Sequence, residues 1–169
     1  MTEKQLHPTW ELEILEGKSA LILTACPGTK GVDLTSSLQQ LKAQGAQAVM
    51  TALTVAEMKK AQVSELPQKV QALGMLWVHL PIEDNDVPSD TFMSSWNTNE
   101  AKLKEIVAKG GKIAIHCMGG SGRTGLLAAH LLLDLGWDLD KIKKEVQLLR
   151  PTAFTKAKQL AYINKFATE

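Results

Sequence analysis

Apolar residues in this chain gather in short clusters of two alternating kinds. Residues 20–25 (ALILTA), 47–53, 75–80 (MLWVHL) and 112–116 (KIAIH) are brief, mostly apolar runs bounded by Gly, Pro or polar residues. Runs of that length predict buried strands. Between them the apolar residues recur every three or four positions. Leu34, Leu38 and Leu41 share one face of a helix that Asp33 would cap and Gly45 would stop. Thr54 and Glu57 have the spacing of a capping box at the head of a short helix. Further helices are predicted over about 64–73, 89–109, 123–135, 138–149 and 155–167, with Gly110-Gly111, Gly136 and Pro151 as breaks. The acidic stretch Glu83-Asp84-Asn85-Asp86-Val87-Pro88 fits neither period and predicts a loop. Strands alternating with helices predict an α/β fold, a central and mainly parallel sheet flanked by helices on both faces.

With 169 residues, no internal repeat and no linker-like segment, residues 1–169 are expected to form a single domain. Composition is that of an ordinary globular protein, 44% hydrophobic and 22% charged with a formal net charge of +1. That balance gives no electrostatic reason to expect a nucleic-acid partner. No apolar run has the length of a membrane span, and the opening residues lack the apolar core of a signal peptide. Cys26 and Cys117 are the only cysteines and form no CxxC or metal-ligand spacing, which suggests a reducing compartment. A cytoplasmic monomer without metal or organic cofactor is therefore expected.

The candidate chemistry lies at residues 116–125, His-Cys-Met-Gly-Gly-Ser-Gly-Arg-Thr-Gly, between a predicted strand and a predicted helix. Arg123 is one of only two arginines, and it follows Cys117 by six positions. A glycine-rich strand-to-helix turn can aim successive backbone N–H groups and a helix N-terminus into one concavity, a cradle for a phosphate dianion. Met118, Gly119, Gly120, Ser121 and Gly122 would line that cradle. Arg123 would add a planar fork matching two phosphate oxygens. The same positive setting favours a thiolate at Cys117, able to attack phosphorus and form a thiophosphate intermediate. His116 is expected to orient the loop and support the thiolate, and Thr124 to steady the sulfur.

HCxxGxxRT after a strand and before a helix resembles the signature of the cysteine-dependent protein tyrosine and dual-specificity phosphatases. The wider chain is similar to their kinase-associated phosphatase branch at Leu23–Lys30 (LTACPGTK), at the loop opened by Leu80-Pro81-Ile82-Glu83-Asp84, and from Arg150 to Phe166. The resemblance implies a dual-specificity phosphatase-like fold. It also implies a general acid on a loop about thirty residues before the cysteine, which is the place of Asp84, with Asp86 as the alternative and Glu83 behind both. Gln159 matches a position whose amide helps place the hydrolytic water, although a solvated helix glutamine reads equally well. Arg150 would pair with a carboxylate or assist substrate binding. Cys26 reads as a buried cysteine, with a reversible disulfide to Cys117 as the alternative. The loop interior has no lysine to meet the extra phosphates of a phosphoinositide, and the only tyrosine is Tyr162. A phosphorylated protein or peptide is thus the expected substrate, with phosphotyrosine and phosphothreonine or phosphoserine both accepted. A small-molecule or lipid phosphate as substrate, or a non-catalytic phosphoprotein-binding role, is the alternative.

Overall fold

The computed structural model describes residues 5–15 and 18–168. Five strands form one sheet: β1 (Thr9–Glu13), β2 (Ala20–Thr24), β3 (Ala46–Thr51), β4 (Leu76–His79) and β5 (Lys112–His116). Their order is β1-β2-β5-β3-β4. The β2–β5, β5–β3 and β3–β4 pairs are parallel, and β1 joins the edge of β2 antiparallel. The helices are α1 (Leu34–Ala43), α2 (Val55–Lys60), α3 (Leu66–Ala72), α4 (Phe92–Ala108), α5 (Gly122–Asp134), α6 (Leu139–Leu149) and α7 (Ala157–Thr168).

Burial on both faces explains why the central strands read as unbroken apolar runs. Leu21, Leu23, Met50, Ile113 and Ile115 point to the side covered by α4–α7, where they meet Trp96, Leu103, Leu127 and Leu131. Ile22, Val49 and Ala114 point the other way, toward Leu38, Leu41, Met58, Leu66 and Val70 of α1–α3. The predicted caps form: Asp33 accepts from Ser36 N, and Thr54 and Glu57 close both arms of the capping box.

Strand β1 has no counterpart in the sequence reading. Only Leu12 of its five residues is buried, so it carries too little alternation to announce itself. Pairing with β2 creates it. Helix α4 begins at Phe92 rather than 89, because residues 84–91 form the loop and turn that precede it.

β5 lies at the centre of the sheet, between β2 and β3. The loop leaving its carboxyl end therefore emerges where the connections diverge to opposite faces, the usual place for a ligand site in an open α/β sheet. That loop is residues 117–121.

Candidate active site

The loop's backbone is fastened on both sides. Cys26 N donates to Met118 O at 2.9 Å, and Ala52 N donates to His116 O at 3.0 Å. Gly120 has φ +84°, and a Cβ there would lie 2.6 Å from Thr24 O. Only glycine fits so close to β2 in that conformation. Arg150 closes the loop from outside, its Nε and Nη2 donating to Gly120 O (3.0 Å) and Gly119 O (2.9 Å). The same guanidinium stacks on Trp10 of β1, 3.8 Å from the ring centroid. Arg150 is thus a clamp on carbonyls, and no carboxylate partner for it is found among the described residues.

At the pocket floor the Cys117 sulfur accepts from Gly120 N (3.3 Å) and from Thr124 Oγ1 (3.1 Å). Thr124 reaches it from the first turn of α5, three residues past the N-cap position Ser121. His116 takes up the loop-orienting half of the expected part and not a bond to the thiolate. Its ring nitrogens lie 3.0 Å from Cys117 O and 2.8 Å from Thr51 Oγ1, so it orders the backbone and does not touch the sulfur. Burial pushes its pKa down to about 4, which makes it neutral at pH 7.

Arg123 is 3% exposed, and both terminal nitrogens of its guanidinium have partners. Nη1 and Nη2 meet the two Glu57 oxygens at 2.7 and 2.9 Å, Nη1 also donates to Ile82 O at 2.8 Å, and Asp84 Oδ1 stands 3.5 Å from Nη2. Burial alone would lower its pKa, but Glu57 outweighs that and raises it, so the group stays cationic. The sequence shows Glu57 only as a capping residue. Its pairing with Arg123, 66 positions away, has no local signal.

The acid loop meets the pocket from above. Asp84 and Gln159 line it together with Cys117–Gly119, Ser121–Arg123, Thr152, Thr155 and Lys156, around a cavity of about 370 Å³. Asp86 turns away: its Oδ1 takes Lys158 Nζ at 2.6 Å and Val87 N at 2.7 Å. These bonds, Lys158 first, hold its carboxyl below the usual carboxylate range. Gln159 is 1% exposed. Its amide nitrogen donates to Asp86 O at 3.0 Å, while its buried Oε1 has no hydrogen-bond partner. It is not the solvated helix residue of the alternative reading.

Cys26 is fully buried, and burial, with Cys117 nearby, pushes its thiol up to about 12. His79 stacks on Trp77 and bonds Leu53 O, and His130 packs among Phe92, Trp96, Tyr162 and Phe166. Among the described residues no cluster of three or more His, Cys, Asp or Glu is placed to hold a metal. No helix among them is long and apolar enough to cross a membrane.

The family model for cyclin-dependent kinase inhibitor 3 (CDKN3) matches residues 5–145. The chain belongs to the cyclin-dependent kinase inhibitor 3 family. The rat protein of that name is 34% identical over 152 residues, covering 85% of this chain and 70% of its own. The human one is 31% identical over 170 residues, covering 95% and 78%. A crystal structure of kinase-associated phosphatase, with serine replacing its catalytic-site cysteine, superposes with a TM-score of 0.83 at 27% identity, over 97% of this chain and 96% of that one. The fold of this family member is that of the dual-specificity and protein tyrosine phosphatases, and it is a phosphatase of that superfamily.

Proposed function

We propose that this CDKN3-family member hydrolyses phosphomonoesters on proteins through a thiophosphate at Cys117. The observation that carries this reading is the sulfur's position: it accepts hydrogen bonds from Gly120 N and Thr124 Oγ1 at the floor of a pocket that also contains Arg123 and Asp84. In the first step the sulfur lone pair forms the S–P bond as the bond to the leaving oxygen breaks. Asp84 gives that oxygen its proton. Arg123 and the loop amides hold the non-bridging oxygens where charge accumulates. In the second step water attacks phosphorus, Asp84 takes back a proton, and the thiolate leaves toward Thr124. Gln159, which lines the pocket, orients that water through its side-chain amide.

Asp86 is a poorer acid, because Lys158 and Val87 N stabilise its ionised form. The substrate class follows from the pocket lining. Residues 116–125 carry Arg123 as their one Lys or Arg, and Lys156, bound to Asn85 Oδ1, is the other cation in the lining, which matches one phosphate group better than several. Tyr162 lies away from the pocket, its hydroxyl 2.9 Å from His130 Nε2 in the α5–α7 packing. With no tyrosine wall to deepen the pocket, phosphotyrosine and the shorter phosphothreonine and phosphoserine all reach the sulfur. The name of the rat and human relatives makes a phosphorylated cyclin-dependent kinase the partner to try first.

The test is turnover of an aryl phosphate and of a phosphopeptide panel by wild type, Cys117→Ser and Asp84→Asn. Cys117→Ser should abolish turnover and still bind phosphopeptide. Activity in that variant refutes the mechanism, and turnover confined to phosphotyrosine refutes the dual specificity.

A further inference from the structure

Residues 83–86 form a tight turn closed by Asp86 N donating to Glu83 O at 3.0 Å, with Asn85 at φ +61°. Asparagine tolerates that left-handed conformation better than most residues. The turn presents Asp84 toward Arg123, and α7 and the residue before it grip its other side. Lys158 Nζ pairs with the Asp86 carboxylate at 2.6 Å, Gln159 Nε2 donates to Asp86 O at 3.0 Å, and Lys156 Nζ reaches Asn85 Oδ1. Three side chains within four residues thus hold two consecutive residues of the turn.

We propose that the Lys158–Asp86 pair, with Lys156 and Gln159 beside it, latches the acid loop in its proton-donating position. Asp86 and Lys158 are positioning residues that act through Asp84. The proposal rests on Asp84 being the general acid. Gln159 links the two halves of the reaction: the bond that holds the turn also fixes its amide at the pocket wall. The acid and the amide that orients the water are therefore set by one contact.

In kcat/KM, which reads the steps up to formation of the phosphoenzyme, the latch should be felt only where the leaving oxygen needs a proton. As the S–P bond forms and the P–O bond breaks, a phenolate of pKa about 10 must be protonated, whereas a nitro-activated phenolate leaves unaided. Lys158 is 64% and Asp86 41% exposed, so a single pair has a modest effect. Its loss should lower kcat/KM for phenyl phosphate by about two- to fivefold.

The experiment compares kcat/KM for phenyl phosphate and for dinitrophenyl phosphate in wild type, Asp86→Asn, Lys158→Gln, the charge-swapped D86K/K158E double variant, and Asp84→Asn. The expected result is a phenyl-to-dinitrophenyl ratio that falls two- to fivefold in each single variant and recovers most of the loss in the swap. Asp84→Asn should show a larger fall. An unchanged ratio in the single variants, with a lowered one in Asp84→Asn, overturns the latch and leaves the acid standing. Equal losses on both substrates overturn it too, because they place Asp86 and Lys158 in phosphate binding or folding. An unchanged ratio in Asp84→Asn removes the acid assignment and the latch together.

Discussion

Replacing Glu57 with Gln separates two jobs that one side chain performs. Glutamine at the third helical position still completes a capping box, so α2 keeps its start. What is lost is the carboxylate that meets both arms of Arg123, at 2.7 and 2.9 Å. Arg123 is 3% and Glu57 23% exposed, so water compensates little. Removing one partner of a buried pair costs about 3–5 kcal/mol, and a single charge-assisted hydrogen bond contributes about 1.5–3 kcal/mol. Gln retains one acceptor, and Ile82 O and Asp84 still face the guanidinium, so the cost should fall near the low end, about 2 kcal/mol. For a chain of this size that is a drop in Tm of roughly 4–8 °C. Urea unfolding at several pH values measures it. Burial tends to raise the Glu57 pKa, but Arg123 and Thr54 outweigh burial and hold it below its ordinary 4.5. A carboxylate with a depressed folded-state pKa stabilises above the unfolded value and loses that contribution as pH falls through the folded one. The gap between wild type and variant should therefore be full at pH 7 and narrow below about 4.5. Catalysis should suffer as well, by about tenfold or more in kcat/KM, because the fork that grips phosphate is no longer held in place. A gap under about 0.5 kcal/mol at pH 7, within the range of ordinary surface substitutions, or a gap that widens in acid, would refute the reasoning.

Gly120→Ala should destabilise by at least about 2 kcal/mol, because its Cβ meets the Thr24 carbonyl at 2.6 Å with φ at +84°; thermal unfolding and titration with inorganic phosphate should both show the loss. Thr124→Val keeps shape but removes a donor to sulfur, so the phosphoenzyme should accumulate, read as a larger burst in rapid-quench kinetics. Arg150→Met should loosen the loop by about 1–2 kcal/mol and raise the KM for phosphopeptide more than it lowers kcat. His116 and His130 have pKa values lowered to about 4 by burial, so the unfolded chain binds more protons than the native one between about 6.5 and 4. Stability should therefore fall with pH through that interval, by up to about 1.4 kcal/mol per pH unit for each ring, and His130→Gln should flatten the slope in urea titrations.

The sheet and the cradle were legible because both are local. Three of the five strands, β2, β3 and β5, are buried on both faces, and the half-buried edge strand β4 is still mostly apolar, so all four advertise themselves as apolar runs. The cradle, too, is one continuous segment whose glycines, cysteine and arginine sit at fixed spacing. The loop of the expected acid was placed by resemblance, which put Asp84 ahead of Asp86 without showing what each carboxylate faces. The pairing of Asp86 with Lys158, 72 positions later, has no local signal.

By itself, then, the sequence determined which segments become strands and helices, and where a phosphate could be bound, since period and spacing act over a few residues. Only the tertiary structure decided the rest. It put Glu57 against Arg123, laid Arg150 between Trp10 and the loop carbonyls, set His116 against Thr51 and the Cys117 carbonyl, buried Gln159 at the pocket wall, and made β1 a strand. Each of these depends on sheet order and helix packing that bring residues distant in the chain within 4 Å. No local period encodes such a meeting; it becomes favourable only when folding excludes water from between the two groups.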